Sequence, residues 1–268
     1  MPFAELPSGV RIHYETRGEG RPLLLCTGLG GLGAFWNAYV EPLARDRRVI
    51  TYDHVGTGES TITDPPYDVG QMAEDAIGLL DFLGLEAVDF VGHSTGGAIG
   101  QLLASRHPKR IRSLLLAATW GRRDPYFTRC FDARIPILER IGKLEYFQAT
   151  SLLIYPPDWI SEDFPRVEAL EALNAEALAR PDILIARIRA ICDFDASDEW
   201  TRIDCPTLVV GARDDMTTAS FFSKELAREI AGAELTMLAW GAHMFPLTNR
   251  EAFLPILMDW LRRQDRSA

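Results

Sequence analysis

Cysteine is scarce in this chain. Only Cys26, Cys130, Cys192 and Cys205 occur among 268 residues, and no pair has a Cys-x-x-Cys spacing. That argues against a disulfide framework and against a zinc ribbon, so no metal is expected. Cys26 and Cys205 flank apolar runs and read as small core residues. Basic charge is also short: 28 Lys and Arg stand against 38 Asp and Glu, a net charge of −10. Nucleic acid is therefore not an expected partner. No apolar run approaches the ~20 residues that cross a bilayer. Met1-Pro2-Phe3-Ala4-Glu5-Leu6 lacks a basic segment followed by an apolar one. The expectation is a cytoplasmic protein without a membrane partner. Histidine is scarce too, with five in the chain, which shortens any search for a general base.

What is present is an alternation of strand and helix signals. Residues 3–17 read as an antiparallel hairpin around Pro7-Ser8-Gly9. The continuous apolar run at 22–26 reads as a strand covered on both faces, and 48–53, 87–91 and 111–118 read as further strands. Helical spacing appears at 36–44, 71–83 and 98–106. The alternation stops near Trp120. Helical stretches follow at 135–141, 167–179 and 183–191, with breaks at Pro156-Pro157, Pro165 and Pro181. Strands at 206–211 and 234–238 and helices at 219–230 and 253–262 then resume it. This predicts an α/β core formed by residues 1–121 and 201–268, interrupted by a helical cap at 122–200.

Gly92-His93-Ser94-Thr95-Gly96 lies between one of those strands and its helix. Gly-x-Ser-x-Gly in that setting is a nucleophile elbow, whose glycines clear space for a sharp turn that exposes the serine hydroxyl. A serine needs a base, and the base needs an orienting carboxylate. His243, in a loop after the last strand, is the expected base. His13, His54, His93 and His107 sit in a hairpin, a loop, the elbow itself and a helix end. The acid should leave the strand at 206–211. Asp214 is preferred, and Asp215 is the alternative, with a possible second role as a charge at a helix N-terminus. The oxyanion donors are expected to be the backbone N–H groups of Thr95 and of Leu29.

A rival reading attaches to the same loop. Gly28-Leu29-Gly30-Gly31-Leu32-Gly33 matches Gly-x-Gly-x-x-Gly, and Asp53 follows about 20 residues later, the dinucleotide-binding pattern. The preceding hairpin and the downstream elbow weigh against it, so no cofactor is expected.

Taken together, the Gly28 loop with Trp36, Asp53 with Gly56-Thr57-Gly58, the elbow, the acid loop and His243 resemble the α/β-hydrolase superfamily over nearly the whole chain. The resemblance implies an eight-stranded, mostly parallel sheet with helices on both faces and a cap between strands six and seven. Two positions depart from the usual pattern: Thr27 precedes Gly28 where many members have histidine, and Val55 stands where many have arginine. Leu153-Ile154-Tyr155-Pro156-Pro157-Asp158-Trp159 resembles pyrimidine-utilisation hydrolases that act on aminoacrylate or carbamate. Gly211-Ala212-Arg213-Asp214-Asp215-Met216-Thr217-Thr218 resembles 3-oxoadipate enol-lactonases. The resemblance implies a serine hydrolase cleaving an ester, lactone or amide/carbamate bond in a small, carboxylate-bearing substrate. Arg122, Arg123 and Arg129 are candidates to meet its charge, and Trp36, Trp120, Met216 and Met244 to line its pocket. A ligand-binding receptor on the same fold is the other class to separate from it, and a homodimer is left open.

Overall fold

In the computed structural model, residues 2–178 and 180–266 are described. Eight strands form one sheet: β1 (Phe3–Glu5), β2 (Arg11–Arg17), β3 (Arg21–Cys26), β4 (Arg47–Tyr52), β5 (Val88–His93), β6 (Ile111–Ala117), β7 (Thr207–Ala212) and β8 (Glu234–Leu238). Their spatial order is β1-β2-β4-β3-β5-β6-β7-β8. The hairpin pairs antiparallel, as does β2 with β4, and every other neighbour is parallel.

The apolar runs are strands because both of their faces are covered. Every residue of β5 and β7 is buried. Leu24, Phe90, Leu114 and Val209 point into one core with the helices Val69–Phe82 and Thr95–Arg106. Leu23, Val91, Leu115 and Val210 point into the other, against Trp36, Phe253 and Trp260. Period-two side-chain alternation in the strands separates the two cores.

Between β6 and β7 the described residues form helices and no strand: Pro125–Asp132, Ile135–Arg140, Lys143–Ile154, Pro157–Glu162, Phe164–Ala177 and Pro181–Asp193, followed by a short 3₁₀ turn at Ser197–Arg202. The prolines expected to break helices instead start them. Pro157 and Pro181 open their helices and Pro165 sits second. The first turn tolerates proline, because its missing N–H would have no intrahelical partner there. Position 179, the expected end of one helix, lies outside the described residues.

In a parallel sheet the carboxyl ends of the strands share one edge, where ligands bind. Loop 27–33, Ser94, Asp215 and His243 follow β3, β5, β7 and β8 onto that edge.

Candidate active site

Ser94 interrupts strand and helix with φ 54 and ψ −116, a region where a side chain is strained. The turn is held on both sides. Ser94 N–H donates to the Ala117 carbonyl at 2.9 Å, and Thr119 Oγ1 donates to the Ser94 carbonyl at 2.7 Å. A Cβ at Gly92 would collide with the Gly96 carbonyl oxygen, and one at Gly96 with that of Cys26. The two glycines are what let strand and helix meet this closely.

Ser94 Oγ lies 3.0 Å from His243 Nε2, and His243 Nδ1 lies 3.0 Å from Asp215 Oδ2. All three residues are buried. The carboxylate is acceptor-only when ionised, so Nδ1 carries the proton and Nε2 is free to accept from the serine. Asp215 also receives Thr217 N–H at 2.7 Å, Thr218 N–H at 2.8 Å and Thr218 Oγ1 at 2.7 Å. Burial alone would raise its pKa. The histidine and these hydrogen bonds outweigh that and hold it below the usual aspartate value.

The preference for Asp214 is therefore corrected to its neighbour. Asp214 turns away from the imidazole and accepts the N–H groups of Gly241 and Ala242 at 3.1 and 3.0 Å. Ala242 has φ 51. Asp214 thus braces the strained backbone that delivers His243, while Asp215 touches the ring.

His93 was not assigned a part by its sequence position. Its Nε2 lies 2.9 Å from the His243 carbonyl, which can only accept, so Nε2 carries the proton. Its ring stacks on Phe35. Burial first, then the neighbouring His243, pull its pKa down to about 3. It stays neutral and clamps the His243 backbone.

Loop 27–33 lies against the serine. A Cβ on Gly28 would sit 3.1 Å from Ser94 Cβ. Gly31 N–H closes a turn onto the Gly28 carbonyl at 3.0 Å. In a trans peptide N–H and C=O point oppositely, so the Leu29 N–H points out of that turn. Thr95 opens the twelve-residue helix Thr95–Arg106, and first-turn N–H groups have no intrahelical partner. Gly28 thus sits against Ser94, with Leu29 next along the loop and Thr95 next to the serine in the chain.

The pocket candidates fare differently. Trp36 and Trp120 are 0% exposed, so neither offers surface to a ligand. Trp36 packs on Phe35 and Tyr39, and Trp120 on Phe127 and Phe194. Both are core residues. Arg122 pairs with Glu225 at 2.7 Å and Arg123 with Asp193 at 3.4 Å, all at the surface except the partly buried Glu225. Arg129 is exposed. Met216 is exposed beyond Asp215, and Met244 is half-buried beside His243.

The acid of the rival dinucleotide pattern is occupied within the chain. Asp53 accepts Gly33 N–H at 2.8 Å and Glu59 N–H at 3.1 Å, and lies 3.0 Å from His13 Nδ1. Among the described residues no cluster of side chains could hold a metal ion, and no helix is long and apolar enough to cross a membrane.

A model of the alpha/beta hydrolase family matches residues 23–256. Proteins named carbamate hydrolase RutD are similar over almost the full length. That of Caulobacter sp. (strain K31) is 38% identical over 252 residues, spanning 93% of this chain and 94% of that protein. That of Azorhizobium caulinodans is 36% identical over 266 residues, spanning 99% and 100%. Among solved structures, the enol-lactonase of Burkholderia xenovorans LB400 superposes with a TM-score of 0.88 at 27% identity, over 97% of this chain and 100% of that one.

Proposed function

The chain belongs to the alpha/beta hydrolase family and is a hydrolase, and on that premise we propose that it cleaves the acyl C–O or C–N bond of a small carbamate, lactone or ester through Ser94, His243 and Asp215. One observation carries the reading. A serine on a strained turn stands at 3.0 Å from an imidazole that stands at 3.0 Å from a buried carboxylate.

The steps follow from that geometry. Ser94 Oγ attacks the carbonyl carbon as its proton passes to His243 Nε2. Asp215 stabilises the imidazolium that forms. The carbonyl electron pair moves onto oxygen, which the Leu29 and Thr95 N–H groups receive, with the positive end of the helix Thr95–Arg106 behind them. The tetrahedral centre collapses, the C–O or C–N bond breaks, and the imidazolium gives its proton to the leaving group. His243 then activates water, which releases the acyl or carbamoyl group and restores the serine. The names of the similar proteins favour a carbamate or an enol-lactone within this class. We also propose that residues 122–200 act as a cap over Ser94 and set the choice of acyl group. The carboxylate expected on the substrate draws less support, because Arg122 and Arg123 are engaged at the surface.

The test is an intact-mass measurement of wild type and Ser94→Ala after treatment with a fluorophosphonate. One adduct on wild type and none on the variant is the expected result. No adduct on folded wild type overturns the serine mechanism. Turnover of a carbamate, lactone and ester panel, lost in Ser94→Ala, then ranks the bond types.

A further inference from the structure

One buried cation is not used by the mechanism above. Arg187, in the inserted helix Pro181–Asp193, is 1% exposed. Among the described residues no carboxylate pairs with it. Its Nε and Nη2 fork onto the Leu29 carbonyl oxygen at 3.3 and 3.1 Å. Nη1 reaches the Val55 carbonyl at 3.0 Å and Nη2 reaches His54 Nδ1 at 3.0 Å. Four of the five guanidinium N–H groups are thus engaged, which leaves little to offer a substrate.

His54 fits the same arrangement. Arginine can only donate, so His54 Nδ1 is bare and its proton sits on Nε2, 3.4 Å from Cys26 Sγ. Cys26 in turn lies 3.1 Å from Tyr52 Oη. This is a continuous buried chain beneath loop 27–33, and Cys26 is the residue at which that loop leaves the sheet. Elsewhere the loop is held by core atoms alone: the Gly31 carbonyl accepts from His54 N–H at 2.8 Å and from Thr57 Oγ1 at 3.1 Å. Arg187 reaches it from the inserted helices.

A buried cation without a counter-charge is a costly way to fill space, and an apolar side chain of similar volume would stabilise the fold at least as well. What arginine provides here is a planar fork on one carbonyl. The Leu29 carbonyl belongs to the same residue as the N–H assigned to the acyl oxygen, one peptide unit further along the chain. With Gly30 next in sequence, little besides hydrogen bonds restrains that peptide. We propose that Arg187 is a positioning residue: by holding the Leu29 carbonyl it fixes the Leu29–Gly30 peptide and, through the shared Leu29 Cα, the adjoining Gly28–Leu29 peptide, so that the Leu29 N–H is aimed at the oxyanion whenever the inserted helices are docked. This rests on the serine-hydrolase reading above.

The experiment compares wild type, Arg187→Met and Arg187→Lys. It measures thermal unfolding, kcat and KM on p-nitrophenyl acetate, the rate of fluorophosphonate labelling, and inhibition by benzeneboronic acid, whose tetrahedral adduct places an oxygen where the oxyanion forms. In folded Arg187→Met, kcat is expected to fall about 10- to 100-fold, the scale of a displaced catalytic group. KM should stay within about twofold, and boronate affinity should fall by the same factor as kcat/KM. Arg187→Lys, with one donor in place of the fork, should recover part of the loss. A purely structural role would lower the melting temperature and leave the kinetics of the folded fraction and the boronate affinity unchanged, and that result overturns the proposal. A loss confined to KM overturns it as well. If Arg187→Met does not fold, Arg187→Lys decides by the same criteria. Wild type that takes no fluorophosphonate overturns the serine mechanism and this proposal together. Labelled wild type beside kinetically unchanged variants overturns this proposal alone.

Discussion

Replacing Asp215 by asparagine should disable the enzyme, whereas the same change at Asp214 should only weaken it. In Asp215→Asn the amide oxygen can still accept the Thr217 and Thr218 N–H groups, now at 2.7 and 2.8 Å from Oδ1. The amide nitrogen then faces His243 Nδ1, where Oδ2 stood at 3.0 Å. An amide nitrogen can only donate, so Nδ1 must give up its proton and Nε2 must take one. Nε2 is the atom 3.0 Å from Ser94 Oγ, and once protonated it cannot act as the base. Losing the right tautomer in a triad costs about 10⁴ in kcat, equivalent to about 5.4 kcal/mol of transition-state stabilisation at 1.36 kcal/mol per decade. Asp214→Asn keeps one of the two bonds to Gly241 and Ala242. It loses one charge-assisted hydrogen bond, about 1.5–3 kcal/mol of stability, and its effect on kcat should stay near about tenfold. Steady-state hydrolysis of p-nitrophenyl acetate, with melting curves for each variant, reads the difference. If Asp214→Asn is the slower enzyme, or Asp215→Asn keeps more than about one per cent of kcat, the assignment of the acid is wrong.

Further outcomes follow from the elbow and from the buried histidines. Gly92→Ala places a Cβ against the Gly96 carbonyl. It should melt far below wild type or fail to accumulate as soluble protein, and a variant of unchanged melting temperature and activity would contradict the close strand–helix contact. His93 is held near a pKa of about 3 by burial and then by His243, and His54 well below its usual value by burial and then by Arg187. Both depressed values mean that the unfolded chain binds protons the folded chain does not. Their stabilisation is fully present above the unfolded pKa of about 6.5 and is lost as pH falls from there toward the folded values, approaching about 1.4 kcal/mol per pH unit for each histidine. Urea midpoints should drop between pH 7.5 and 5.5, and drop less in His93→Gln. A flat profile in wild type would mean that these rings are not buried neutral.

The parts of the molecule readable from sequence are those fixed by short-range pattern. Apolar runs such as residues 22–26 became strands within one residue at either end, and Gly92, Ser94 and Gly96 marked the turn because few other side chains fit it. The choice between Asp214 and Asp215 was not readable. Both leave the same strand, and a single residue of turn geometry decides which faces the imidazole. Tryptophan and arginine were misleading for an opposite reason: their chemistry suits a pocket, yet Trp36 and Trp120 are consumed by packing and Arg122 by Glu225. Arg187 did leave a signal. Ile183, Leu184, Ile188 and Ile191 form the buried stripe of its helix, and Arg187 falls inside that stripe. A charge on the apolar face of an amphipathic helix has to find buried acceptors. The helix Lys143–Ile154 left none, since it buries only Tyr146 and Ser151.

The inserted helices reach the loops that carry Leu29, Asp215 and His243, mostly through main-chain atoms of those loops. The Ile154 carbonyl accepts Met244 N–H at 3.0 Å, next to the base, and the Leu153 carbonyl accepts Thr217 Oγ1 at 3.4 Å, next to the acid. Tyr126 Oη donates to the Met216 carbonyl, and Arg187 holds the Leu29 carbonyl. Bonds of this kind survive substitution of pocket side chains, so acyl-group preference can change while the catalytic atoms keep their places. On the proposed mechanism, the same bonds imply that the sheet by itself would be a poor hydrolase. Joining residues 1–121 to 201–268 with a Gly/Ser linker would strip Trp120 of Phe127 and Phe194, at about 1.5–3 kcal/mol for each large side chain returned to water. It would also free the Leu29, Met216 and Met244 backbones. Such a protein should label with fluorophosphonate at a small fraction of the wild-type rate even where it folds. Labelling at the wild-type rate would show that the core alone holds the three loops in register, and would confine the inserted helices to substrate choice.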